Sequence, residues 1–98
     1  MGKIDQMKLA LQAQKAMKEL KKELVEVEAG DGAVVAQING ELKIKSLKFD
    51  EKLIDGDFSK LEKWTIAAIS DGMEEAKKMM EEKMRPFMGA LKDLGLGQ

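Results

Sequence analysis

The chain has 98 residues, of which 44% are hydrophobic and 36% charged, with a net charge of −1 and neither His nor Cys. One domain, residues 1–98, with a modest core fits that length, and ordinary, periodic apolar content excludes a disordered chain. Without Cys there are no disulfides or thiolate metal sites, without His the commonest general base is missing, and the near-zero charge excludes a uniformly basic nucleic-acid binder.

The N-terminus, Met1-Gly2-Lys3-Ile4-Asp5, lacks the apolar core of a signal peptide. Helical periodicity then runs from about Ile4 to Leu24. Leu9, Ala13, Ala16, Met17, Leu20 and Leu24 share one face, read as core. Ile4, Met7 and Leu11 lie roughly opposite, as a surplus apolar patch of the kind that meets a partner. This first helix is the basic part of the chain, because residues 1–24 hold six Lys against three acids, and residues 25–60 hold five Lys against eight. Lys8, Lys15 and Lys22 recur every seven residues and so line up within ~40° on the helix, with Lys18 beside them.

Val25 to Ala29 alternates with period two and reads as a strand, Gly30-Asp31-Gly32 as a turn, and Ala33–Ile38 and Leu42–Phe49 as two further strands. Asn39-Gly40 is the strongest short-range hairpin signal, since both central residues of a type I′ turn need positive φ. A two-residue loop there sets Val35 opposite Ile44 and Gln37 opposite Leu42 on the better-buried face, with Val34 opposite Lys45 and Ala36 opposite Lys43 on the other. The apolar phase slips between Ile44 and Leu47, so a β-bulge is expected near Lys45-Ser46, returning Leu47 and Phe49 to the buried face.

Asp50 to Asp57 is a connector. Asp57 or Ser59, the latter with Glu62 as a capping box, begins a second helix that ends near Met84 before Pro86. Its stripe is Leu61, Trp64, Ile66, Ala68, Ile69, Met73, Ala76 and Met80. Gly72 in mid-helix calls for a close approach by a neighbouring element. The Gly- and Leu-rich residues 87–98 read as a tail, a short helical turn or a mobile segment.

Catalytic chemistry is hard to find. Asp55-Gly56-Asp57 has part of a calcium-loop pattern without its remaining ligands, and reads better as a capping turn. Glu74-Glu75 and Glu81-Glu82 point ~100° apart on a helix and pair better with Lys78 and Arg85 at i,i+4. Met73, Met79, Met80, Met84 and Met88 read either as an adaptable binding surface or as packing, with packing favoured for Met73 and Met80, and Trp64 reads as a core anchor. No enzyme activity, cofactor, metal, membrane or small-molecule substrate is expected.

The order of these features carries a resemblance. Gly32-Ala33-Val34-Val35, Asn39-Gly40, a strand ending at Phe49-Asp50, Leu53-Ile54, Leu61-Glu62, Ala67-Ala68 and Asp71 are similar to the YbaB/EbfC family of nucleoid-associated DNA-binding proteins. Gln12-Ala13-Gln14-Lys15-Ala16-Met17 resembles its opening helix. The resemblance implies an α+β fold, α-β-β-β-α, comprising an N-terminal helix, a three-stranded antiparallel sheet and a long C-terminal helix. It also implies a tweezer-like homodimer that binds double-stranded DNA with little sequence preference in the bacterial cytoplasm and nucleoid, without a cofactor. Helix two carries Glu74-Glu75 and the chain has one arginine, Arg85. Lys8, Lys15, Lys18 and Lys22 are therefore the expected DNA contacts, doubled in a dimer. Val34, Ile38, Trp64, Ile69 and Met73 are the expected dimer contacts. The alternative is a protein-interaction or chaperone-like scaffold with Ile4, Met7, Leu11 and the Met and Leu residues of the tail as its contact surface. Helix–hairpin–helix order also occurs in prefoldin subunits, whose helices are long coiled-coil arms, whereas these are only ~20–26 residues, ~30–40 Å.

Overall fold

The computed structural model describes residues 2–93, with side chains through Gly89. The order is α1 (Lys3–Lys22), β1 (Leu24–Ala29), β2 (Val34–Asn39), β3 (Ile44–Phe49), α2 (Glu51–Ile54) and α3 (Phe58–Asp93). The sheet is antiparallel in the order β1-β2-β3. The expected α-β-β-β-α fold is therefore present, with one added turn of helix, α2, inside the connector. Asp50 makes that turn by accepting hydrogen bonds from the backbone N–H groups of Lys52 and Leu53. Asp57, not a Ser59 capping box, starts α3, its carboxylate accepting from the N–H of Lys60.

The hairpin differs from the two-residue loop expected. Asn39 N–H donates to the Lys43 carbonyl and Leu42 N–H to the Asn39 carbonyl, so three residues, Gly40 to Leu42, form the loop. Positive φ falls on Leu42 (65°), not on Asn39 or Gly40. The longer loop pairs Val34 with Phe49, Val35 with Lys48, Ala36 with Leu47 and Ile38 with Ile44. The expected pairs, Val35–Ile44, Gln37–Leu42, Val34–Lys45 and Ala36–Lys43, do not form. At the loop the register moves by three places. An odd shift exchanges faces, so Ile44 joins Ile38 rather than Val35. The bulge does lie at Lys45, between the Gln37–Ser46 and Ile38–Ile44 pairs.

The buried face of β2 is accordingly the opposite of the one read from the sequence. Val34, Ala36 and Ile38 are fully buried, while Val35 and Gln37 are only half-buried. α3 lies against β1 and β2, and Val34 and Ala36 form a core with Ala68, flanked by Val27, Leu47, Leu61 and Trp64. Gly72 sits at the closest approach, as its mid-helix position suggests: a Cβ there would meet Ile38 Cδ1 at 2.5 Å and Val27 Cγ2 at 2.9 Å. The other sheet face, with Glu26, Gln37 and Lys48, has no helix over it among the described residues, and Gln37 there donates to Glu26 at 3.0 Å.

α3 does not stop before Pro86. It runs 36 residues, through the proline, to Asp93, roughly 54 Å at 1.5 Å per residue. Its second half packs against α1, and Pro86 and Phe87 share a groove with Gln12, Lys15 and Ala16 of α1. Pro86 lacks the N–H that a mid-helix residue donates, and the helix continues through it. Residues 87–93 of the expected tail are thus helical, and residues 94–98 lie outside the described residues. The described protomer is long and thin, 61 × 21 × 14 Å: a sheet-and-helix body with an antiparallel arm of α1 and the end of α3.

Candidate nucleic-acid interface

α1 is built as a two-faced rod. Ala13, Ala16 and Leu20 are buried. Lys8, Lys15, Lys18 and Lys22 are all exposed, roughly 150° around the helix from that buried face. The four lysines cover ~21 Å of helix axis, about six base-pair steps of duplex. Ile4, Met7 and Leu11 share this outer face, ahead of Lys15, and remain 64–70% exposed. Met17 and Leu24, read as core, are instead about half exposed. Met17 sits at the margin of the buried stripe, and Leu24 has left the helix for β1.

Two carboxylates, Glu19 of α1 and Glu23 at its C-cap, would oppose the lysines, and both are engaged elsewhere. Lys83 of α3 reaches Glu19 Oε2 at 2.9 Å and Glu23 Oε1 at 2.8 Å. The hydrogen bond and charge of Lys83 hold the Glu19 carboxyl below its ordinary range, and the bonds that Lys83 donates to Glu23 and Glu19 hold its ammonium above its own. Pairing across 60 residues gives no local sequence signal, and Lys83 is absent from the expected set. The expected i,i+4 pairs, Glu74–Lys78 and Glu81–Arg85, do not come within ion-pair distance among the described residues.

The joint between arm and body centres on Asn39, which is 2% exposed. Its Nδ2 donates to the Lys21 carbonyl, and its Oδ1 accepts from the N–H groups of Glu41 and Lys43. One side chain thus ties the C-terminal end of α1 to the hairpin. Gly40 beside it has no room for a side chain: a Cβ would lie 2.5 Å from Leu20 Cδ2 and 2.8 Å from the Leu20 carbonyl oxygen. The dipeptide read as a turn signal therefore serves to dock a helix. A cavity of about 250 Å³ adjoins it, lined by Met17, Leu20, Met80 and Met84.

The expected dimer residues divide. Val34 and Ile38 have no accessible surface within the protomer, so they have none to offer a second copy. This follows from α3 covering that face. Trp64 packs on the core above Gly30, with Lys60 Nζ 5.9 Å from its ring centroid. Ile69 and Met73 are half-buried and stand in an i,i+3,i+7 row with Ile66, which is 66% exposed. Asp55, in the left-handed region, closes α2 through its backbone N–H, and the Asp57 carboxyl caps α3. Among the described residues no three Asp or Glu side chains converge as a metal site would require.

Fold and surface together define a class: a small α+β protein that presents a lysine-lined helix. The sequence model of the YbaB/EbfC DNA-binding family matches residues 1–91. The chain belongs to that family. Its relatives include proteins named "Nucleoid-associated protein". One from Chloroflexus aggregans is 36% identical over 85% of this chain and 84% of its own length. One from Rhodopseudomonas palustris is 36% identical over 87% and 86%. An uncharacterized protein from Helicobacter pylori has a crystal structure with the same fold, at a TM-score of 0.69 and 18% identity, over 76% of this chain and 78% of its own.

Proposed function

We propose that this protein is a nucleoid-associated homodimer of the bacterial cytoplasm that binds double-stranded DNA through the phosphate backbone and so organises the chromosome or modulates its expression. The outward row Lys8, Lys15, Lys18 and Lys22 carries the reading. Lysine ammonium groups are compact charges suited to phosphate, and they lack the planar fork with which arginine reads a base edge. Little sequence preference follows. The family and the names of its relatives support DNA as the partner. No helix among the described residues is long and apolar enough to cross a membrane. Self-association is supported by the thinness of the protomer, by its uncovered sheet face, and by the Ile66, Ile69 and Met73 row.

The test is affinity for duplexes of several sequences as salt rises. Four lysines give a log–log slope of about −4, and two copies of them about −7. Lys15→Glu/Lys18→Glu/Lys22→Glu is expected to abolish binding while sedimentation and helicity stay unchanged. An unchanged affinity would remove α1 from the interface. The exposed Ile4, Met7 and Leu11 favour a second reading, a protein-docking scaffold. It is supported if the wild type ignores DNA at low salt yet suppresses aggregation of an unfolded client.

A further inference from the structure

Glu19 is placed to neutralise the basic row. It stands four residues after Lys15 and three before Lys22, the spacings at which opposite charges pair on a helix. It does not face outward, however. Both it and Glu23 are turned to the α3 side of α1, where a single ammonium from α3 meets their carboxylates at 2.9 and 2.8 Å. Both glutamates and Lys83 keep part of their side-chain surface in solvent, 48%, 38% and 29% respectively. The acids would thus be free to swing if the ammonium were removed. Lys15 already acts on the Glu19 carboxylate electrostatically, so the competing partner is at hand.

We propose that Lys83 is a positioning residue for DNA binding: it holds Glu19 and Glu23 against α3 and so keeps Lys15, Lys18 and Lys22 free for phosphate. The proposal rests on the reading that the outer face of α1 contacts DNA. Lys83 touches no DNA itself. It acts by occupying two carboxylates that would otherwise compete with phosphate for the same lysines, and by fixing the side of α1 that faces outward.

A mutant cycle separates this role from bulk charge. Duplex affinity is compared, at low salt where exposed charges count most, for wild type, Lys83→Met, Glu19→Gln/Glu23→Gln and the combined triple variant. Lys78→Met, also on α3 but turned about 140° from Lys83, controls for the lost charge, and Lys83→Arg is the conservative replacement. Lys83→Met should weaken binding at least about fivefold more than Lys78→Met. The two Gln substitutions alone should shift affinity less than about twofold, yet restore the loss in the Lys83→Met background, a coupling expected only of groups in contact. Lys83→Arg should bind as wild type. Additive effects around the cycle, or equal losses for Lys83→Met and Lys78→Met, would overturn the proposal. Lys83→Gln takes the place of Lys83→Met if circular dichroism shows that Met does not fold. Charge reversal of Lys15, Lys18 and Lys22 distinguishes the two levels. Unchanged binding there sinks the α1 reading and this one with it. Lost binding with an additive cycle sinks the role of Lys83 alone.

Discussion

At the scale of single residues, Asn39 and Gly40 decide how the arm joins the body. Asn39→Ala would strand the Lys21 carbonyl and the N–H groups of Glu41 and Lys43 around a buried site. Unpaired buried groups cost roughly 1–3 kcal/mol each where water cannot replace the partner. A loss of about 2–3 kcal/mol in urea unfolding is expected, because part of this loop is half-exposed and can rehydrate. Gly40→Ala should cost at least about 2 kcal/mol by the same measurement. The added methyl meets the Leu20 backbone oxygen as well as its side chain, and backbone cannot step aside as a flexible side-chain end can. A Gly40→Ala protein as stable as the wild type would refute this packing.

At the scale of elements, the contact between α1 and α3 has a pH signature. The folded Glu19 carboxyl is held low by Lys83, so its contribution is present above the ordinary glutamate value and is lost as pH falls through the lower folded one. The folded Lys83 ammonium is held high by Glu23 and Glu19, so its contribution is present below the ordinary lysine value and is lost as pH rises beyond it. The pair therefore acts across the whole neutral window and fades at either end. Because these groups are solvent-accessible, the effect is small and screened by salt. Urea midpoints measured from about pH 6 down to about pH 3 should fall less steeply for Glu19→Gln/Glu23→Gln than for wild type. Identical acid limbs would show that the pair contributes nothing to stability.

At the scale of the whole molecule, a three-stranded sheet covered on one face by its own helix leaves surface for a second copy. Ile66 is the apolar group in the α3 row that the protomer itself does not use, being 66% exposed. For the proposed homodimer, Ile66→Glu should leave the single chain folded and shift sedimentation toward monomer, by more than a tenfold rise in the dissociation constant, about 1.4 kcal/mol. A dimer that tolerates the charge would move the interface elsewhere, to the uncovered sheet face with Val35 and Gln37 or to Ile4, Met7 and Leu11.

Local chemistry was legible without the fold. The lysine row, the exposed apolar start of α1, a cap at Asp57 or Ser59 and the bulge at Lys45 follow from spacing, because each depends on neighbours within a turn or a strand pair, whereas Gly72 shows in the sequence only as a mid-helix glycine whose partners, Ile38 and Val27, lie on other elements. The amino-acid order likewise determined the α-β-β-β-α succession and the family. Tertiary structure alone decided which side of β2 is inside, since strand alternation offers two faces and only the position of α3 selects between them. The same contact buries Val34 and Ile38 inside the chain. It decided that α3 continues through Pro86, alongside α1. It turned Asn39-Gly40 from a two-residue turn into a helix dock, and it brought Lys83 to Glu19 and Glu23. Each of these couplings joins residues far apart in sequence, where periodicity and propensity carry no signal and only packing does.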